Sequence, residues 1–174
     1  MVVEKHIADT PKWVALYTRS RAEKRVAERL EESGVEVYLP LIKIRRKWSD
    51  RWKIVEEPLI KSFVFVKIRR REQVKVTQVD GVVYIVKTLG VPSVIPERDI
   101  NYMRRLVEAN VEVHVVDNTQ LKNGARVRIE EGWMKGMEGM VLEDCQDGNF
   151  SISISGLDFS LVLSVQRELL RVLE

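Results

Sequence analysis

The chain has 174 residues, with 29 Lys and Arg against 26 Asp and Glu, a formal net charge of +3. That length holds one domain, or one with a small satellite, and 45% hydrophobic with 32% charged residues excludes a disordered chain. No apolar run, Val82–Val86 included, exceeds five residues, against roughly 20 for a membrane helix. A lone Cys145 makes no internal disulfide, and the opening Met1-Val2-Val3-Glu4-Lys5-His6 lacks a signal-peptide core; a cytoplasmic protein away from membranes is expected. The small total charge hides an asymmetry. Residues 1–122 carry 24 basic and 17 acidic side chains, residues 123–174 carry 5 and 9, so two units with different partners are expected, the basic one suited to a polyanion.

In chain order, Trp13-Val14-Ala15-Leu16-Tyr17-Thr18 predicts a buried strand. Ser20-Arg21-Ala22-Glu23 has the pattern of a capping box, opening a helix in which Ala22, Val26, Ala27 and Leu30 recur and Gly34 is the stop. Val35, Val37 and Leu39 alternate as a second strand. Leu41–Lys47 and Arg51–Ile60 predict a hairpin turning at Ser49-Asp50, and Phe63–Val66 a core strand. Arg71–Thr77 predicts a short helix and Val82–Thr88 another strand. Pro96 then opens a helix with Ile100, Met103, Leu106 and Val107 on one face. This order predicts an α+β layer of helices on an antiparallel sheet. Residues 111–122 read as a linker, and the short β-rich runs beyond it as a small barrel of about five strands.

Catalysis has little support. His6, His114 and Cys145 are scattered, so neither a metal site nor a nucleophile with a neighbouring base is expected. Glu56 and Glu57 are adjacent on a strand and point to opposite faces. The nine glycines form no phosphate-cradling loop. We therefore expect no enzyme, no cofactor and no metal.

The basic signals are stronger. Residues 43–53 (Lys43-Ile44-Arg45-Arg46-Lys47-Trp48-Ser49-Asp50-Arg51-Trp52-Lys53) carry six cations, one acid and two tryptophans. On a hairpin they make either a cationic finger whose indoles stack on unpaired bases or a solvated loop whose tryptophans fold back. Arg19, Arg21, Lys24 and Arg25 surround a helix start, where the dipole favours an anion; the alternative is an exposed face offset by Glu23 and Glu28. Lys67, Arg69, Arg70 and Arg71 read as solubilising. Alternation puts Phe63 and Phe65 on one face and Val64 and Val66 on the other. The aromatic face is either core or an uncovered protein-binding patch.

Over residues 12–174 the sequence resembles the NusG family of transcription elongation factors, most nearly its RfaH-like and UpxY-like antiterminator branch. The likeness lies in Trp13–Thr18 followed by Arg25–Leu30, in Glu57–Val66, in Val79-Asp80-Gly81-Val82, in Pro92–Pro96, and in Gly124–Val141, which is close to a KOW motif. It implies an N-terminal NGN-type antiparallel sheet with helices (an αβ plait, residues 1–110), then a small SH3-like KOW β-barrel (residues 123–174). It also implies binding to the clamp helices of RNA polymerase through Trp13, Tyr17, Ile60, Phe63 and Phe65. Non-template single-stranded DNA would meet Arg19, Arg21, Lys24 and Arg25, and Arg45, Arg46 and Lys47 on the hairpin would meet DNA. Met134 and Met137 would contact ribosomal protein S-ten or Rho. The implied protein is a monomer that suppresses pausing or termination at particular operons, such as polysaccharide operons. Two departures from the family pattern stand out: Lys61-Ser62-Phe63 replaces a Pro-Gly-Tyr or Pro-x-Tyr turn, and methionines replace aromatic KOW residues. The competing reading is an RNA-binding or ribosome-associated KOW protein.

Overall fold

The computed structural model describes residues 9–142 and 149–173; His6 and Cys145 lie outside them. In chain order the elements are β1 (Lys12–Thr18), α1 (Glu23–Glu32), β2 (Glu36–Tyr38), β3 (Leu41–Lys47), β4 (Trp52–Pro58), β5 (Phe63–Ile68), α2 (Gln73–Thr77), β6 (Val82–Ile85), β7 (Lys87–Thr88), β8 (Val91–Pro92), β9 (Val94–Ile95), α3 (Glu97–Ala109), β10 (His114–Asp117), β11 (Asn123–Ile129), β12 (Glu138–Leu142), β13 (Asn149–Ser153), β14 (Phe159–Ser164) and β15 (Leu170–Val172). Two compact units result: the chain up to Leu39 with Ser62–Val94, and Pro40–Lys61 with Ile95 onward.

The first unit is built on an antiparallel sheet whose hydrogen-bonded path runs β2-β5-β1-β6. Tyr17 pairs with Phe63 on one side and Tyr84 on the other, and Val14 with Val66. Alternation sends Val14, Leu16, Val64, Val66 and Ile68 to one face, where they form a core with Val26, Ala27 and Leu30 of α1 and Val76 of α2. Gly34, in the left-handed region at φ 81°, ends α1 as expected.

Two expected features differ. Ser20 is not the helix cap: Arg21, at φ 62°, makes a turn that leaves Ser20 outside, and the cap position falls to Ala22 with no side-chain bond. The strand expected over Val82–Thr88 stops at Ile85. Val86 donates to Ala15 and accepts from Ser93, and Lys87–Thr88 folds back on Val91–Pro92 instead.

The second unit contains the β3–β4 hairpin, α3 and a six-stranded sheet in the order β10-β14-β13-β12-β11-β15. The stretch expected to be an irregular linker, 111–122, contains a strand: Val115 and Val116 suit a pleated backbone, and His114–Asp117 pairs with β14. Gly139 sits where a Cβ would fall 2.6 Å from the Phe150 ring, so only glycine lets β12 pair with β13 there. Pro96 caps α3, which buries Ile100, Tyr102, Met103 and Leu106. Among the described residues no helix is long and apolar enough to cross a membrane.

Candidate functional site

The second face of the β2-β5-β1-β6 sheet carries Trp13, Ala15 and Tyr17 of β1, Phe63, Phe65 and Lys67 of β5, Tyr38 of β2 and Tyr84 of β6. Its rings form a connected series. Tyr17 meets Phe63 edge-on at 5.4 Å and stacks on Tyr84 at 5.0 Å, arrangements worth about 0.5–1.5 kcal/mol each beyond area burial. Tyr38 lies 6.3 Å from Phe65, and the Lys67 ammonium sits 5.7 Å over the Trp13 ring.

Burial divides this face. Trp13 and Phe65 are buried, as is Ile60 in the other unit, whereas Tyr17 and Phe63 are half-buried and Tyr84 is 50% exposed. Of the five residues expected to meet polymerase, only Tyr17 and Phe63 reach solvent. The most exposed ring of this face, Tyr84, was missed. Its register opposite Tyr17 is the signal that finds it, and that signal exists only once β6 is paired with β1.

Arg19, Arg21, Lys24 and Arg25 are all exposed around the start of α1. Arg19 and Arg29 share Asp80, at 3.3 and 2.9 Å. Two cations on one carboxylate leave the neighbourhood positive, though exposed pairs of this kind add little stability. The loop itself is held by backbone bonds from Thr18 to Ser62 and from Arg19 to Gly81. The carboxylate of Glu23, buried, accepts from the Ser62 amide at 2.7 Å.

The hairpin is fully formed, pairing Arg45 with Ile54, Arg46 with Lys53 and Lys47 with Trp52. Its tryptophans do not fold back. Trp48 and Trp52 are 55% and 54% exposed, each beneath a cation: Arg45 lies 4.8 Å from the Trp52 centroid, Lys53 5.6 Å from that of Trp48. Arg46 is ion-paired with Glu57 at 2.5 Å.

In the barrel, Met137 is fully buried and Met134, also expected to contact a KOW partner, nearly so. The turn between Gly132 and Gly136, both at positive φ, folds the thioethers inward and leaves Trp133 41% exposed. Nearby, Arg128 donates to Glu138 at 2.6 and 3.0 Å and Arg126 at 2.8 Å. These bonds, Arg128 foremost, hold the Glu138 carboxyl below the usual carboxylate range and raise the Arg128 guanidinium.

A stripe on α3 binds this same region. Asp99 accepts from the Ser155 amide at 2.9 Å, and the Tyr102 hydroxyl donates to the Gly136 carbonyl and accepts from the Glu138 amide, each at 3.2 Å. Arg105 donates to the carbonyls of Trp133 and Lys135. Sequence reasoning saw only the apolar side of α3. Among the described residues no cluster of three or more His, Cys, Asp or Glu is placed to hold a metal ion.

The fold is thus an α+β sheet unit with an aromatic face and exposed cations beside it, together with a second, all-β sheet. Residues 11–104 match the family model described as NusG, transcription termination factor nusG. The chain belongs to the NusG family of transcription factors. Among solved structures, "Domain interaction in Thermotoga maritima NusG" is 21% identical, covers 94% of this chain and 98% of that one, and superposes with a TM-score of 0.53. That likeness bears out the NGN-plus-KOW fold. The MjSpt4:Spt5 complex in its conformation A is a fainter likeness, 16% identical over 93% of this chain and 98% of that one, with a TM-score of 0.31. Comparison with curated proteins returns no match.

Proposed function

We propose that this protein is a non-enzymatic, cytoplasmic elongation and antitermination factor of the RfaH-like and UpxY-like kind. It binds the clamp helices of RNA polymerase and suppresses pausing or termination at particular operons, such as polysaccharide operons. The observation that carries the reading is the ring cluster of Tyr17, Phe63 and Tyr84: apolar, preorganised by ring contacts and partly open to solvent. Apolar surface of this kind, rimmed by charge, is what a protein-binding site requires.

The NGN-like part, residues 1–110, would grip polymerase, and the exposed cations Arg19, Arg21, Lys24 and Arg25 would hold the non-template strand. The hairpin cations would lie against DNA. In the KOW part, residues 123–174, the exposed Trp133 turn is the place for a further protein such as ribosomal protein S-ten or Rho. No bond is made or broken. A factor that binds the processive conformation of polymerase more tightly than the paused one shifts the equilibrium by that difference in binding free energy.

The test is in vitro transcription over a strong pause with full-length protein. The wild type shortens the pause and Phe63→Asp does not. Arg19→Glu with Arg25→Glu keeps the effect on a template of unrelated sequence but loses any preference for its own non-template strand. Unchanged pause lifetimes with saturating wild type would end the elongation reading.

A further inference from the structure

We propose that one face of the β3–β4 hairpin is a stacking platform for single-stranded nucleic acid. Trp52 takes a base, Arg45 and Lys47 take phosphates, and the opposite face with Arg46 takes no part. This rests on the hairpin being a nucleic-acid contact and says which half of it is.

Side chains alternate across a hairpin. The register places Lys43, Arg45 and Lys47 of β3 on the same face as Trp52, Ile54 and Glu56 of β4. Every one of these six is exposed. On the other face Ile44 and Val55 are partly covered, Arg46 is drawn to Glu57, and Lys53 lies over Trp48. The Arg46 face therefore has a cation paired with an acid and its aliphatic residues sheltered. The other holds three cations at alternate positions, about 7 Å apart along the strand, facing one acid.

Solubility does not account for that face. A solubilising hairpin would not display Ile54 at 68% exposure beside a half-exposed indole. Both make sense against the flat side of a base, which is apolar and present in every nucleotide. The Arg45 guanidinium, 4.8 Å from the Trp52 centroid, restrains the indole and extends its plane with a cationic surface. A duplex hides its base faces within its own stack, so the platform selects unpaired strands.

The experiment measures anisotropy of labelled oligothymidylate, oligouridylate and a duplex of equal length, using full-length protein. It is run in the wild type and in an Arg19→Glu, Arg25→Glu background that silences the cluster at α1. Both single strands should bind more tightly than the duplex. Trp52→Ala should weaken single-strand binding about tenfold, as loss of one stacked base does, while Trp52→Phe, which keeps a ring, stays within about threefold. Arg45→Ala should weaken binding and flatten its salt dependence, whereas Arg46→Ala changes affinity less than about twofold. A preference between the two single strands names the natural source of the shared chemistry and supports the proposal either way. Equal losses from Arg45→Ala and Arg46→Ala, or none from Trp52→Ala, would overturn the platform while leaving a diffuse electrostatic contact intact. No hairpin-dependent affinity for any of the three would remove the nucleic-acid contact itself.

Discussion

The turn that shapes the basic edge depends on three residues, Glu23, Ser62 and Gly81. Glu23, expected to serve the α1 cap, instead reaches the Ser62 amide across the sheet. Glu23→Ala leaves that amide without a partner, so a loss of about 1–3 kcal/mol is expected in denaturant titration; a loss below a few tenths would mean water replaces the carboxylate. Ser62 takes a left-handed conformation at φ 63°, which favours glycine. Ser62→Gly should raise stability by up to about 1 kcal/mol, net of the entropy a glycine adds to the unfolded chain; a clear loss of stability would show that the serine is held by more than geometry. Gly81, at φ 100°, has Val26 2.7 Å from where a Cβ would stand. The capping pattern was visible in the sequence but misleading, because a positive φ at Arg21 is not encoded in residue type.

At the level of elements, the sheet faces were legible and their covering was not. Alternation correctly paired Phe63 with Phe65 and separated Val64 and Val66. It could not tell that Phe65 is buried and Phe63 half-buried, because that depends on packing brought by distant parts of the chain. The hairpin was legible through its turn and charge pattern. Strand β10 was not, since four residues between polar stretches look like linker until β14 pairs with them. The barrel makes a pH prediction. The folded Glu138 carboxyl is depressed, so its contribution is complete above the unfolded carboxylate range and lost as pH falls through the lower folded value. Wild type and Glu138→Gln should therefore differ in melting temperature at neutral pH and converge under acid. A difference that persists below the carboxylate range would assign the effect to shape rather than charge.

For the whole molecule, the division of charge first seen in the sequence now has positions. The basic excess appears as exposed cations beside α1 and along the hairpin. In the acidic part, Glu138 is engaged by Arg126 and Arg128. The family was legible because several motifs fall in order along the chain, and the family model over residues 11–104 agrees. Residue-level roles were less legible: Trp13 and Phe65, expected to meet polymerase, and Met137, expected to meet a KOW partner, are buried here, while Tyr84 matches none of the motifs and is exposed. Tyr17, Phe63 and Tyr84 are the surface proposed to meet polymerase. Tyr84→Asp tests it most directly, because a half-exposed ring can be replaced with little risk to the core. Titration of core RNA polymerase with full-length protein should show at least about tenfold weaker binding for Tyr84→Asp than for the wild type, as expected for a central aromatic anchor. Equal affinities, with both proteins folded, would contradict the account.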